Sequence, residues 1–171
     1  GEMLGDHGLM LKGCRFYEGL VRVPLIVAGP TVSAVGQRSD ALVELTDIAP
    51  TLLELADVDI PERVQGQSLM PLFTDPGGSH RDSVRCEYYR ALKPNPQGRV
   101  QITGSYATMY RNKQHKICIY HGHEYGELYD LEKDPEEFDN LWEDSAHAGV
   151  RFDLMKKCFD SAAFAIDIGP K

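Results

Sequence analysis

The densest chemistry in this chain lies in the stretch GEMLGDHGLMLKGCRFYEGLVRVPLI, where His7, Lys12, Glu18 and Arg22 are set among Gly1, Gly5, Gly8, Gly13 and Gly19. Glycine at that density lets a backbone turn tightly or approach a ligand closely. A lysine in such a loop can hold an anionic group as a compact point charge, and sites in α/β sheets collect in the loops at the carboxyl ends of strands. Plainer readings stand beside these. Most lysines are simply solvated, a single histidine is more often structural than catalytic, and Glu18 and Arg22, four apart, most simply pair with each other. His121-Gly122-His123 could offer imidazoles to a metal, but no third ligand accompanies them. Tyr106, Tyr110, Tyr120, Tyr125 and Tyr129 fall in or beside strand-like stretches and are expected to pack a sheet rather than bind carbohydrate.

The elements that must position these residues change character along the chain. Residues 1–19 read as a loop. Residues 20–28, LVRVPLIVA, are nearly continuously apolar and end at Gly29-Pro30, the pattern of a buried strand of a parallel sheet covered on both faces, with Pro24 near its beginning. A helix follows, N-capped by Thr46 or Asp47, with Pro50 in its first turn and Ile48, Leu52, Leu55 and Ala56 at helical spacing. Gln65, Gly66 and Ser68 introduce a short segment over 69–73, and Asp75-Pro76-Gly77-Gly78 is the clearest linker. Beyond it, residues 84–89, 106–111, 116–120 and 127–131 read as short antiparallel strands, with hairpin turns at Arg111-Asn112-Lys113 and His121-Gly122-His123. Asp134-Pro135-Glu136-Glu137 reads as an acidic helix start. Val150, Leu154, Cys158 and Ala162 mark a terminal amphipathic helix within 145–165. The expected division is a dependent α/β portion over 1–75 and a small antiparallel-sheet subdomain with a closing helix over 76–171. A strand apolar on both faces needs neighbours, and residues 1–75 do not contain them.

Bulk properties bound the functions. The 171 residues carry a net charge of −8, and the pI is about 5.2, which argues against a nucleic-acid or anionic-membrane partner. The composition, 42% hydrophobic and 26% charged, is that of a globular domain. No apolar run reaches the roughly 18 residues of a membrane span. Cys14, Cys86, Cys118 and Cys158 include no CxxC pair and are too few for a disulfide framework, so thiols in a reducing compartment are expected. A cytoplasmic location is favoured, with a periplasmic or secreted one open, because the chain opens on Gly1 already inside a motif.

Three blocks carry a resemblance. They are Gly1 to Leu9 with Lys12, Tyr17-Glu18-Gly19 and Arg22-Val23-Pro24-Leu25-Ile26; Thr46-Asp47-Ile48-Ala49-Pro50-Thr51-Leu52-Leu53 with Gln65-Gly66-Gln67-Ser68-Leu69; and Glu127-Leu128-Tyr129-Asp130-Leu131 with Asp134-Pro135-Glu136-Glu137 and Asn140-Leu141. In order and spacing they resemble the sulfatase family of the alkaline-phosphatase superfamily, nearest the branch of choline-sulfatase-like and phosphonate-monoester-hydrolase-like enzymes. The likeness spans residues 1–142. It implies the C-terminal part of a sulfatase-type α/β/α sandwich plus a small antiparallel sheet, acting on a sulfated small molecule or carbohydrate, with a homo-oligomer as a further partner.

The resemblance places Lys12 on the sulfate oxygens as the catalytic and substrate-binding lysine, with His7 a lesser substrate-side candidate that orients the loop. Glu18 and Arg22 would brace the turn that presents Lys12. The family nucleophile is a formylglycine made within a Cys/Ser-x-Pro/Ala-x-Arg motif. Here only Cys86-Glu87-Tyr88-Tyr89-Arg90 spaces Cys and Arg correctly, and Tyr88 and its place after the lysine rule it out. The family cation, calcium or manganese, uses residues that would immediately precede Gly1 and others further upstream, so no complete metal site is expected in these residues. The alternatives are an enzyme of the same superfamily acting on phosphonate or phosphate esters, and a non-catalytic structural fragment.

Overall fold

The structure, a computed structural model, describes residues 1–89 and 106–166. Strands β1 (Ser83–Tyr89), β2 (Tyr106–Asn112), β3 (His115–Tyr120) and β4 (Gly126–Asp130) form a four-stranded sheet in the order β1-β2-β3-β4. β2 and β3 pair antiparallel with Met109 opposite Cys118 and Arg111 opposite Lys116. β3 and β4 pair antiparallel with Lys116 opposite Tyr129 and Ile117 opposite Leu128. The four strands expected beyond the linker are therefore present, with the first hairpin turning at 113–114, just past Arg111 and Asn112 of β2, and the second leaving β3 at His121.

Alternation along the strands gives the sheet two apolar faces. On one, Ala107, Met109, Cys118 and Tyr120 pack with Phe16 from the N-terminal segment. On the other, Tyr110, Ile117 and Leu128 pack with Leu154 and Cys158 of helix α3 (Ala148–Ile166). The spacing of Leu154 and Cys158 is the one expected of an amphipathic helix. Tyr110, Tyr120 and Tyr129 are buried, whereas Tyr125 is exposed, its ring tilted 36° against that of Tyr120 at 5.2 Å between centroids. All four cysteines are thiols; burial pushes Cys158 up to about 11 and Cys118 well above its ordinary value.

After β4 the chain turns at Asn140, whose Oδ1 accepts the amides of Leu128 and Trp142 and whose Nδ2 donates to the Gly126 carbonyl, each at 3.0 Å. The Trp142 ring is laid over Gly126, where a Cβ would meet the ring at 2.5 Å. The residues 134–137 form a turn rather than the expected helix start, with the Glu137 amide donating to the Asp134 carbonyl.

The chain's contacts divide it into two units, Gly1–Val23 with Arg85–Phe159, and Pro24–Val84 with Asp160–Lys171. In the second unit, helix α2 (Ile48–Leu55) starts where expected, at Asp47. The buried Asp47 carboxylate does not cap it. It accepts the amides of Glu44 and Gln67, each at 2.8 Å, and pairs with His80 at 3.3 Å and with Arg81. A Cβ on Gly66 would sit 2.0 Å from the Thr46 carbonyl, so only glycine lets these loops meet.

Residues 20–28 do not form the expected buried strand. Residues 18–21 make the short helix α1 (Glu18–Val21), and 22–28 carry no regular structure, with Val23, Leu25, Ile26 and Val27 exposed, Ile26 at 88%. The described residues supply no strand beside this segment, and a run apolar on both faces cannot be a strand alone. Among the described residues no helix is long and apolar enough to cross a membrane.

Gly126→Ala drives a methyl group into the Trp142 ring and is expected to destabilise the chain by about 1–3 kcal/mol. Thermal unfolding followed by the fluorescence of Trp142, the single tryptophan, measures it; an unchanged midpoint would contradict the contact.

Candidate functional site

Lys12 sits in an exposed loop, its side chain 65% accessible. Its amide donates to Glu2 Oε2 at 2.9 Å, and its ammonium pairs with Glu2 Oε1. The hydrogen bonds from Lys12 hold the Glu2 carboxyl below its usual range. Glu2 and Lys12 thus close a small loop that carries His7 between them. His7 has the left-handed φ of +48°, and its ring lies on Tyr17 at 3.9 Å between centroids, 12° from parallel, and on Phe138 at 4.7 Å. Lys12 and His7 share the loop, and none of the described hydrogen bonds joins them.

Beneath the loop lies a group the sequence reading overlooked. Lys116 on β3 is fully buried, on the same strand face as Cys118 and Tyr120. Its ammonium is 2.7 Å from Glu18 Oε1 and 2.6 Å from Glu137 Oε1, and it donates to the Phe16 carbonyl at 2.8 Å. Glu137 Oε2 accepts the Glu18 amide at 2.6 Å, and Arg111, opposite Lys116 in the sheet, donates to Glu18 Oε1 at 3.1 Å. The expected pairing of Glu18 with Arg22 thus gives way to Lys116 and Arg111, with Arg22 adding a weaker pull. Burial acts most strongly on both carboxyls. For Glu18, Lys116 and Arg111 overcome it and hold the group below its usual range; for Glu137, burial prevails over Lys116 and raises it. The signal available in the sequence was a lysine in alternation with Cys118 and Tyr120, inward-facing positions by the strand's own period.

The remaining candidates disperse. His121 Nε2 is 2.8 Å from the Thr108 hydroxyl, while the His123 ring lies tilted against Tyr125 at 5.1 Å between centroids. Cys86 packs beside the sheet core, and Arg90 lies outside the described residues. On the loop-facing side, Tyr120 donates to Glu127 Oε1 at 2.9 Å and Arg15 lies over the Tyr120 ring at 5.2 Å. Among the described residues no group of three His, Cys, Asp or Glu could hold a metal ion. They do not compose the divalent-cation site that the resemblance implies. The loop carries one exposed lysine ammonium, that of Lys12, paired with Glu2.

A family model described as N-sulphoglucosamine sulphohydrolase, C-terminal, matches residues 5–163. The chain is 31% identical to an N-acetylglucosamine-6-O-sulfatase of Bacteroides thetaiotaomicron, over 91% of its own length and 27% of the relative's. It superposes with a TM-score of 0.80 at 27% identity on a protein solved in complex with its substrate D-glucosamine-2-N,6-O-disulfate, covering 96% of this chain and 32% of that one. The phosphonate monoester hydrolase of Agrobacterium radiobacter gives a TM-score of 0.79 at 26% identity, over 97% of this chain and 34% of the other. The chain therefore spans about a third or less of the length of these relatives.

Because Glu18 is held below its unfolded value, near 4.5, the stability it contributes is present above that pH and is lost as pH falls through its lowered folded value. The stability gap between the wild type and Glu18→Gln, from urea unfolding, should be larger at about pH 7 than at about pH 3. A gap that widens on acidification would reverse the assignment.

Proposed function

This chain belongs to the N-sulphoglucosamine sulphohydrolase C-terminal family, and from that premise we propose that it is the C-terminal part of a sulfatase that hydrolyses sulfate esters, to whose anion site it contributes Lys12. The observation that carries the reading is Lys12 itself, an exposed ammonium at the matched position, mounted through its amide and side chain on Glu2. A sulfate monoester spreads one negative charge over its terminal oxygens, and cleavage of the S–O bond gathers further charge on the leaving oxygen. A fixed ammonium beside those oxygens stabilises that charge without reorganising in the reaction. Glu2 holds the Lys12 side chain until an anion competes for it. His7, locked between two aromatic rings, stiffens the loop. The formylglycine nucleophile and the divalent cation are part of the same proposal and fall to residues other than these.

The substrate class proposed is a sulfated sugar, supported by the sulfated-glucosamine chemistry named for two of the relatives. A phosphonate ester is the second reading, favoured by the likeness to the phosphonate monoester hydrolase. The same lysine would serve either anion. Turnover of glucosamine-6-sulfate against a phosphonate monoester by the full-length protein decides between them.

In the full-length protein carrying these residues, Lys12→Ala should lower kcat/KM for an aryl sulfate by about a hundredfold or more, the loss of one preorganised electrostatic contact. An unchanged rate would show that Lys12 does not touch the anion. The 171-residue chain alone is expected to hydrolyse no aryl sulfate above a matched blank, since groups of a catalytic constellation act as a unit.

A further inference from the structure

Lys12 is exposed and its described ion pair is with Glu2 of its own loop, so something else must fix the loop's position. We propose that the buried triad of Lys116, Glu18 and Glu137 is that device, and that Lys116 is a positioning residue acting through Lys12. The proposal rests on Lys12 being the anion-binding lysine.

The anchors fall on both sides of Lys12. Four residues after it, the Phe16 carbonyl receives the Lys116 ammonium at 2.8 Å, and two residues further on Glu18 is held twice, its carboxylate by Lys116 at 2.7 Å and its amide by Glu137 at 2.6 Å. Five residues before Lys12, His7 is stacked against Phe138, the neighbour of Glu137, and against Tyr17. A single turn, 137–138, therefore grips the loop at both ends.

The backbone shows that this turn is under constraint. Glu137 adopts φ +61° and His7 φ +48°, a left-handed conformation that non-glycine residues take at a cost and keep only where their surroundings over-determine them. Glu137 is over-determined by its two contacts to Lys116 and the Glu18 amide; His7 by the two rings. Lys116 itself lies in β3, opposite Arg111 on one side and Tyr129 on the other, so the anchor is held by the sheet. A surface lysine needs such a mount, because misplacing a catalytic group by about 1 Å can cost roughly a hundredfold in rate.

The test is a double-mutant cycle in the full-length protein, with 4-nitrophenyl sulfate as substrate and inorganic sulfate as competing anion. Lys116→Met should lower kcat/KM by roughly tenfold to a hundredfold and weaken inhibition by sulfate in parallel. In the Lys12→Ala background the same change should have little further effect, since its target is already gone. Losses that multiply in the double variant, or a folded Lys116→Met protein with wild-type kcat/KM, would overturn the positioning role. If Lys116→Met does not fold, Glu18→Gln, which keeps volume and amide, runs the same cycle, and multiplying losses there would overturn it equally. An unchanged kcat/KM in Lys12→Ala would remove both the anion-site reading and this proposal. A large Lys12→Ala effect with multiplying losses would remove this proposal alone.

Discussion

An ammonium group with no access to water must be answered by carboxylates, and the placing of Lys116 sets the terms for its whole unit. Desolvating one cation and two anions is costly, and removing one member of such a group typically costs about 3–5 kcal/mol because the others stay buried without their counter-charge. The N-terminal segment is therefore not free to lift from the sheet: leaving would strip Lys116 of Glu18 and of the Phe16 carbonyl together. The apolar contact of Phe16 with Met109, Cys118 and Tyr120 adds burial on the same face. The ion contacts fix what that burial leaves loose, because hydrophobic packing alone tolerates sliding and a bonded carbonyl does not.

Much of the sheet unit was legible in advance, and for a definite reason. Period-two alternation in 106–111 and 116–120 and the i, i+4 pair Leu154 and Cys158 are local signals whose satisfaction is also local. Lys12 and His7 were legible as candidates through the motif around them. The triad was not, because Lys116 and Glu137 lie 98 and 119 residues from Glu18 in sequence, a separation that no local pattern spans. Asp134 to Glu137 misled in the same way: an acidic run is favourable at a helix start, but here the last of its carboxylates is drawn into the ion group and the backbone follows. Residues 20–28 are expected as a strand from their apolar run, and instead 18–21 are helical and 22–28 carry no regular structure, with no strand among the described residues to pair them.

In the second unit the motif blocks 46–53 and 65–69 meet. Asp47 accepts the Gln67 amide, Thr51 accepts the Leu69 amide at 2.8 Å, and Gly66 is pressed against the Thr46 carbonyl. The start of α2 is completed by the second block rather than by its own cap, so neither block would hold its conformation alone. Arg81 adds a guanidinium that answers the buried Asp47 and the nearby Glu44.

Asn140 has an effect that reaches past its own turn. β4 is the outermost strand on its side, and an outermost strand displays a row of unused amides and carbonyls that invites another chain to dock and extend the sheet. A primary amide carries both a donor and an acceptor, and Asn140 applies them to the Gly126 carbonyl and the Leu128 amide as a neighbouring peptide would. With Trp142 folded over Gly126, the rim at Gly126 and Leu128 is occupied by a counterfeit strand one side chain long, and an incoming peptide would find those groups already used.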